Sequence, residues 1–496
     1  MPSPLKICFA ASEMAPFAKT GGLADVAAAL PRELHRRGHD VRPLLPLYGS
    51  VDPQRYELQR VEFAQNVQLQ LGGHRSRFSL WTGRLPDDEL PVYFIDSPEY
   101  FRSPALYSGD SEDARRFAFF SQAAIVACQY MGWSPQLFHC NDWHTALIPL
   151  MLRHGFDWDN LFAGTRTLLT VHNIGYQGMF SSHELDRLGL GPLAHRLDPD
   201  DLAQGRINFL RTGLIYADVL TTVSPTHARE IRSEAYGMGL DGLLRARADR
   251  LIGILNGVDV QEWSPERDRF IPHRYSRKRP AGKRKNKLHL LQALGLPADT
   301  DPPLLGVVSR FVPQKGFDIA FPVLPELLAR SNLRMAVLGS GEAGYEEFFQ
   351  LLEQRFPAQV VFYRGYNNEL AHLIEAGSDM FLMPSRYEPC GLNQMFSLRY
   401  GTIPIVRRTG GLADSVEPYD AGGERGNGFV FDHYTPQGLH WALDLALRVY
   451  ADPQRWRRLV QRAMQSDFSW TTQAERYVEL YRLLLGSGKS DPAEAP

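Results

Sequence analysis

Short apolar runs alternate with longer amphipathic stretches along this chain, the pattern of βα units that build a parallel sheet. In the first half the runs predict strands over residues 5–10, 40–45, 92–95, 137–139, 166–171, 219–223 and 251–254. A helix is predicted over 22–37, where Arg36 and Arg37 fill the last turn and Gly38 ends it. Apolar and polar residues alternate over 60–85, as in an antiparallel hairpin on a sheet edge. A second series predicts strands over 304–308, 333–338, 360–363, 380–383, 403–406 and 429–431, each followed by a helical or glycine-rich stretch. Between the series stands the turn-like Asn256-Gly257-Val258-Asp259. The expected organisation is an α/β protein with one domain over 1–256 and another over 257–485. The helical pattern at 472–485 is expected to return across the first domain, and residues 486–496 to form a flexible tail rich in Gly, Ser, Lys, Asp, Ala and Pro.

Composition narrows the classes. At 496 residues the chain exceeds what one hydrophobic core supports, so two large α/β domains fit. The formal charge of −2 supplies no global field toward nucleic acid or an anionic membrane. No apolar run approaches the ~18 residues of a membrane span. Cys8, Cys128, Cys140 and Cys390 are far apart and form no C-x-x-C pair, which argues against a disulfide framework or structural zinc and for a reducing cytoplasm. The N-terminal apolar run is broken by Glu13 with no small-residue cleavage site, as in a first buried strand rather than a signal peptide. Residues 273–287 carry eight Lys or Arg, read as a solvated inter-domain segment in preference to a nucleic-acid patch.

Chemistry concentrates where the predicted strands end. Lys19-Thr20-Gly21-Gly22 follows the first strand and opens a helix; glycines admit close backbone approach and helix-opening N–H groups attract phosphate, although a plain strand–turn–helix connection reads the same way. Asn141-Asp142-Trp143-His144 and His172-Asn173 follow two later strands, at the sheet end where α/β proteins bind ligands; each residue singly can instead be a cap. In the second half, Arg310 and Lys315 place two cations on one strand-end loop, suited to a diphosphate or merely exposed. Glu388, in Arg386-Tyr387-Glu388-Pro389-Cys390-Gly391-Leu392, can accept bonds from vicinal sugar hydroxyls, and Thr409-Gly410-Gly411 repeats the glycine-turn logic. No base adjoins Cys390 in sequence, so a packing or backbone role is expected of it. Tyr93, Tyr100, Phe101, Tyr107 and Trp143 are candidates for stacking on sugar rings, although core packing is the favoured reading for most of them.

Nine strings, KTGGLADV, HCNDWHT, TVHNIGYQG, VSPTHARE, ILNGVDV, SRFVPQKG, RGYNNE, PSRYEPCGLNQ and RRTGGLADSV, run in order from residue 19 to residue 416. Together they resemble bacterial-type glycogen synthases and the related plant starch synthases. The resemblance implies a GT-B fold, two Rossmann-like doubly wound domains facing across a deep cleft. It implies glucose transfer with retention from an ADP-glucose donor to an α-1,4-glucan acceptor, with no metal or other cofactor, no nucleic acid and no membrane partner. By motif it implies Arg310, Lys315, Glu388 and His172 as catalytic. Lys19, Gly22, Asp142, Asn173, Asn256, Tyr366, Cys390, Gly391, Leu392, Thr409, Gly410 and Gly411 are implied as substrate-binding, with Tyr366 on the adenine. Broader retaining families carry a second glutamate eight positions after the first; here Phe396 stands there, which favours the bacterial branch over sucrose- or trehalose-phosphate-type enzymes. A related transferase using UDP-glucose, a silent glucan-binding protein and a dinucleotide oxidoreductase are the rivals. The last is weakened because the first turn lacks G-x-G-x-x-G.

Overall fold

The computed structural model describes residues 3–86, 88–103, 105–420 and 422–486. Two compact units emerge, one of residues up to Val223 with Ala228–Gly257 and the chain from Gln473, the other of Ser224–His227 and Val258–Thr472. Of the tail expected over 486–496, Gly486 ends the last helix and the rest lies outside the described residues.

The first unit holds strands β1 (Lys6–Ala10), β2 (Asp40–Pro46), β3 (Gln59–Arg60), β4 (Val67–Leu71), β5 (His74–Arg84), β6 (Pro91–Asp96), β7 (Leu137–Asn141), β8 (Arg166–Val171), β9 (Met179–Ser181), β10 (Arg206–Asn208), β11 (Val219–Thr222) and β12 (Leu251–Gly253). Its sheet runs β12-β11-β8-β7-β1-β2-β6-β5-β3, parallel as far as β6 and antiparallel beyond, with β4 paired on β5. Inner strands read as unbroken apolar runs because helices cover both faces; Phe9, Leu44, Phe94, Phe138, Leu169 and Leu220 are fully buried. Each such burial contributes roughly 1.5–3 kcal/mol. The helix Gly22–Arg36 buries Leu23, Val26, Ala27, Leu30 and Leu34, one face at helical spacing, and Gly38 stops it at φ 86°. The last helix, Trp470–Gly486, supplies Tyr481, whose hydroxyl meets His139 Nδ1 on β7 at 2.7 Å.

The second unit holds β13 (Leu304–Phe311), β14 (Arg334–Gly341), β15 (Val360–Arg364), β16 (Met380–Met383), β17 (Ile403–Arg407) and β18 (Phe429–Phe431), all parallel in the order β15-β14-β13-β16-β17-β18. In both units the first strand is central and the order reverses beside it, between β1 and β7 and between β13 and β16. That is the doubly wound arrangement, and its reversal point opens a crevice at the carboxyl ends of the strands.

Two features differ from expectation. Strand β13 runs three residues past the predicted 304–308, pairing Arg310 with Ser340 and Phe311 with Gly341, because Phe311 is drawn into the core against Phe349, ring centroids 4.9 Å apart. The basic stretch at 273–287 is neither a patch nor wholly solvated. Within helix Ala281–Ala293, Lys287 is buried and pairs with Asp379 at 2.6 Å, and Lys283 donates to Thr402 Oγ1 at 2.6 Å. Burial pushes Lys283 down to about 7. Among the described residues no helix is long and apolar enough to cross a membrane.

Candidate active site

At the reversal point of the second unit, two loops meet. Beyond β13 a single helical turn, Pro313–Lys315, carries Lys315, and beyond β16 the turn at 384–392 carries Glu388. Their backbones are joined by Arg386 N–H donating to Gln314 O at 2.9 Å. Lys315 Nζ lies 2.7 Å from Glu388 Oε2, and Ser385 Oγ donates to the same oxygen at 3.0 Å. The side chains are 19% and 7% exposed, so the pair is largely shielded and its charges interact far more strongly than a surface pair.

The glycine turn at 409–411 rests on this loop. Gly411 N–H donates to Glu388 O and Pro389 O, both at 3.1 Å. A Cβ on Gly410 would sit 1.9 Å from Glu388 O, and one on Gly411 2.1 Å from Cys390 O, so only glycine allows the approach. Gln394, in the first turn of helix Asn393–Tyr400, donates to Cys390 O at 3.0 Å and to Gly391 O at 3.1 Å. Cys390 and Thr409 are buried, while Leu392 stands at the helix cap. Ser224 donates to Pro389 O at 2.6 Å and Thr226 Oγ1 to Asp414 at 2.7 Å, bracing the same turns.

In the first unit the reversal point lies between β1 and β7. Asp142 follows β7 with a left-handed φ of 54°. Its carboxylate caps nothing in its own turn and instead accepts His172 N–H at 2.7 Å. Burial, reinforced by the charge of Glu13, pushes Asp142 up to about 7 against the opposing pull of the His172 and Asn173 N–H groups. Asn141 Nδ2 donates to Ala10 O at 3.0 Å, which leaves its Oδ1 to accept from His172 Nε2 at 2.9 Å. Burial lowers His172 to about 3, so the ring is neutral, protonated on Nε2, with a lone pair on Nδ1. Asn173 Oδ1 accepts Gly175 N–H at 3.0 Å, shaping its own turn. Lys19, exposed, pairs with Asp25 at 2.6 Å on the first turn of the helix that Gly22 opens.

Not every anticipated residue joins these clusters. Arg310 lies on β13 itself with its side chain exposed, and no contact joins it to Lys315 or Glu388 among the described residues. The two cations expected on one loop are therefore on a strand and on a turn. Tyr366 follows β15, 72% exposed, its hydroxyl bonded to Asn368 at 2.8 Å. Asn256 is buried with no hydrogen-bond partner for its Oδ1 among the described residues. The sugar-stacking reading of Tyr100 and Phe101 is corrected: both are buried, Tyr100 stacked on Phe119 at 4.2 Å, because their short helix packs inward under helix Ser111–Tyr130. Trp143 is likewise buried. Glu13, Ser224 and Ser385 were not singled out by the sequence; a Glu three residues beyond a strand end was the available signal for the first. Among the described residues, no group of three or more His, Cys, Asp or Glu side chains is placed to hold a metal ion.

Comparison with known proteins accords with this geometry. Residues 6–246 match the family described as the starch synthase catalytic domain, and residues 295–463 match glycosyl transferases group 1. A glycogen synthase of Syntrophotalea carbinolica is 45% identical over 96% of this chain and 98% of its own. One from Anaeromyxobacter sp. is 46% identical over 97% and 99%. Among solved structures, the catalytic domain of starch synthase IV from Arabidopsis thaliana, bound to ADP and acarbose, superposes with a TM-score of 0.89 at 37% identity, covering 97% of this chain and 100% of that one. A sucrose-phosphate synthase from Thermosynechococcus elongatus, at a TM-score of 0.61 and 18% identity over 98% and 100%, shares the fold. Two doubly wound units with loaded reversal points, and relatives of this identity over nearly the full length, place the chain in the glycogen and starch synthase family of GT-B glycosyltransferases.

Proposed function

We propose that this chain transfers glucose from ADP-glucose to the non-reducing end of an α-1,4-glucan with retention at the anomeric carbon, releasing ADP. The observation that carries the reading is the Lys315–Glu388 pair, a cation and a carboxylate held 2.7 Å apart at a reversal point, beside a turn closed by glycines. The starch synthase IV domain described with ADP and acarbose is 37% identical to this chain, which supports an adenine nucleotide and a glucan-like partner.

In this reading Lys315, with Arg310, stabilises the charge that grows on the departing diphosphate, a role for a preorganised cation. Glu388 holds glucose hydroxyls and the turn at 390–392 offers backbone N–H groups. Lys19, Gly22 and the turn at 409–411 contact the donor's phosphates, Tyr366 packs on adenine, and Asp142, His172, Asn173 and Asn256 serve the sugar. Retention by double inversion requires a free carboxylate nucleophile. Glu388 is engaged by Lys315 and Ser385, and Asp142 by the His172 N–H, which supports same-face substitution through an oxocarbenium-like state. ADP oxygen then takes the acceptor's proton, and catalysis rests on positioning and charge stabilisation. No step requires a cofactor. Four buried cysteines that form no disulfide among the described residues fit a cytoplasmic enzyme.

The test is turnover of ADP-glucose against UDP-glucose with a maltooligosaccharide acceptor, following chain elongation and the anomeric proton of the new linkage. Elongation with ADP-glucose and an α product is expected. Preference for UDP-glucose, or a β product, would remove the reading.

A further inference from the structure

We infer that Glu13 is the positioning residue that sets the shape of the donor loop at 19–22, an inference that rests on the donor reading above. Glu13 follows β1 by three residues and is 4% exposed. Its Oε2 accepts Thr20 N–H at 2.5 Å and Gly21 N–H at 3.3 Å, and its Oε1 accepts Thr20 Oγ1 at 2.7 Å and the Tyr107 hydroxyl at 2.6 Å. No cation pairs with it among the described residues, and a buried carboxylate without one is costly unless neutral donors saturate it. Here four do.

The consequence is specific. Lys19, Thr20 and Gly22 are exposed, and a turn containing two adjacent glycines has little of its own to fix it. Glu13 turns the Thr20 and Gly21 N–H groups inward, so the N–H groups left to face a phosphate are those from Gly22 onward, where the helix begins with no side-chain cap. The same carboxylate reaches Tyr107, whose hydroxyl also meets Ser12 Oγ at 2.9 Å and whose ring stacks on His144 at 4.8 Å, next to Asp142. One buried group thereby ties the loop after β1 to the residues after β7, the two strands that flank the reversal point. Glu13 acts through the loop and needs no contact with substrate.

The experiment uses the full-length enzyme and its Glu13→Ala, Glu13→Gln, Thr20→Ser, Thr20→Val and Lys19→Ala variants. Glu13→Ala should raise the KM for ADP-glucose about tenfold or more, the scale of lost bonds to a charged group, while the KM for maltooligosaccharide stays within about twofold. Thr20→Ser keeps both donors and should behave as the parent; Thr20→Val keeps only the N–H and should raise the donor KM about threefold. Glu13→Gln, which can re-pair with the hydroxyls, should fall between. Combined with Lys19→Ala, the Glu13→Ala effect should shrink, since both act through one loop. A donor KM unmoved in Glu13→Ala, donor and acceptor KM rising together, or effects that simply multiply with Lys19→Ala would overturn the inference. Should Glu13→Ala not fold, the Thr20 pair decides it: an unmoved donor KM in Thr20→Val overturns it, a selective rise upholds it. A parent enzyme that neither turns over ADP-glucose nor binds ADP would instead mark failure of the donor reading.

Discussion

The reversal points of the two units solve one problem, a carboxylate at the end of a buried strand, in opposite ways. In the second unit Glu388 is paired with Lys315 at 2.7 Å, charge against charge. In the first, no cation pairs with Asp142 among the described residues; it meets the His172 and Asn173 N–H groups, and burial lifts it to about 7. Its neighbour His172 is pushed the other way, to about 3. A dry environment without counter-charge makes both signs of ionisation costly, so Asp142 gains its charge only from about pH 7 upward, while His172 stays neutral. A paired cation keeps full charge on call, which suits an anionic leaving group.

The comparison breaks most sharply at Lys315. Lys315→Ala should lower kcat by on the order of 10²–10³, as loss of a preorganised charge contact does. It also makes the second unit resemble the first, leaving Glu388 shielded and unpaired, so a lower Tm is expected alongside. Steady-state rates with ADP-glucose and a thermal melt check both; a parent-like rate would show that Lys315 faces no developing charge. Asp142→Asn tests the other side. Asn suits the left-handed φ of 54° and can still accept the His172 N–H. The rate should fall about 10- to 100-fold, the value of a charged acceptor to a sugar hydroxyl. Stability should move the opposite way. A folded pKa raised from 3.8 to about 7 means the fold favours the protonated acid, so the parent loses stability as pH rises from about 4 through 7. The variant should melt higher than the parent above pH 7 and alike near pH 4. The same titration should appear in the parent's rate as a limb falling below pH 7, absent in the variant.

A smaller effect is expected at the glycine turn. In Gly411→Ala the added methyl meets Cys390 O, so the turn must move off the Glu388 loop at about 1–3 kcal/mol of stability and roughly a tenfold rise in donor KM. An unchanged KM would mean the turn at 409–411 braces the fold without meeting the donor.

Much of this was legible because chemistry in a doubly wound fold gathers at strand ends, and strand ends are visible as the edges of apolar runs. Met380–Met383 reads as a buried strand, and Glu388 must then lie at its carboxyl end. What the sequence hides is which of the residues at those ends meet. Lys315 and Glu388 are 73 positions apart and touch, whereas Arg310, five positions from Lys315, stays on its strand. An aromatic residue serves a sugar platform or a core; the sequence favours the core for most of the candidates, and the stacking of Tyr100 on Phe119 decides for it at Tyr100. In the sequence Glu13 shows only as the residue that breaks an apolar run. Its four donors come from positions 20, 21 and 107, and no local pattern announces them.

Tyr366 carries the mildest expectation and separates nucleotide binding from catalysis. At 72% exposure on the loop beyond β15, its ring can stack on an adenine while water still reaches its edge. Base–aromatic stacking is worth about 1–3 kcal/mol, and so open a ring belongs at the low end. Tyr366→Ala should raise the KM for ADP-glucose about fivefold and weaken ADP binding equally, with kcat within about twofold, because stacking is felt alike in ground and transition states. Tyr366→Phe keeps the ring and gives up the 2.8 Å bond from the hydroxyl to Asn368, so it should restore the parent values if stacking is what counts. A fall in kcat with KM unchanged would place Tyr366 against the reacting sugar and blur the division between a charged nucleotide end and an uncharged sugar end.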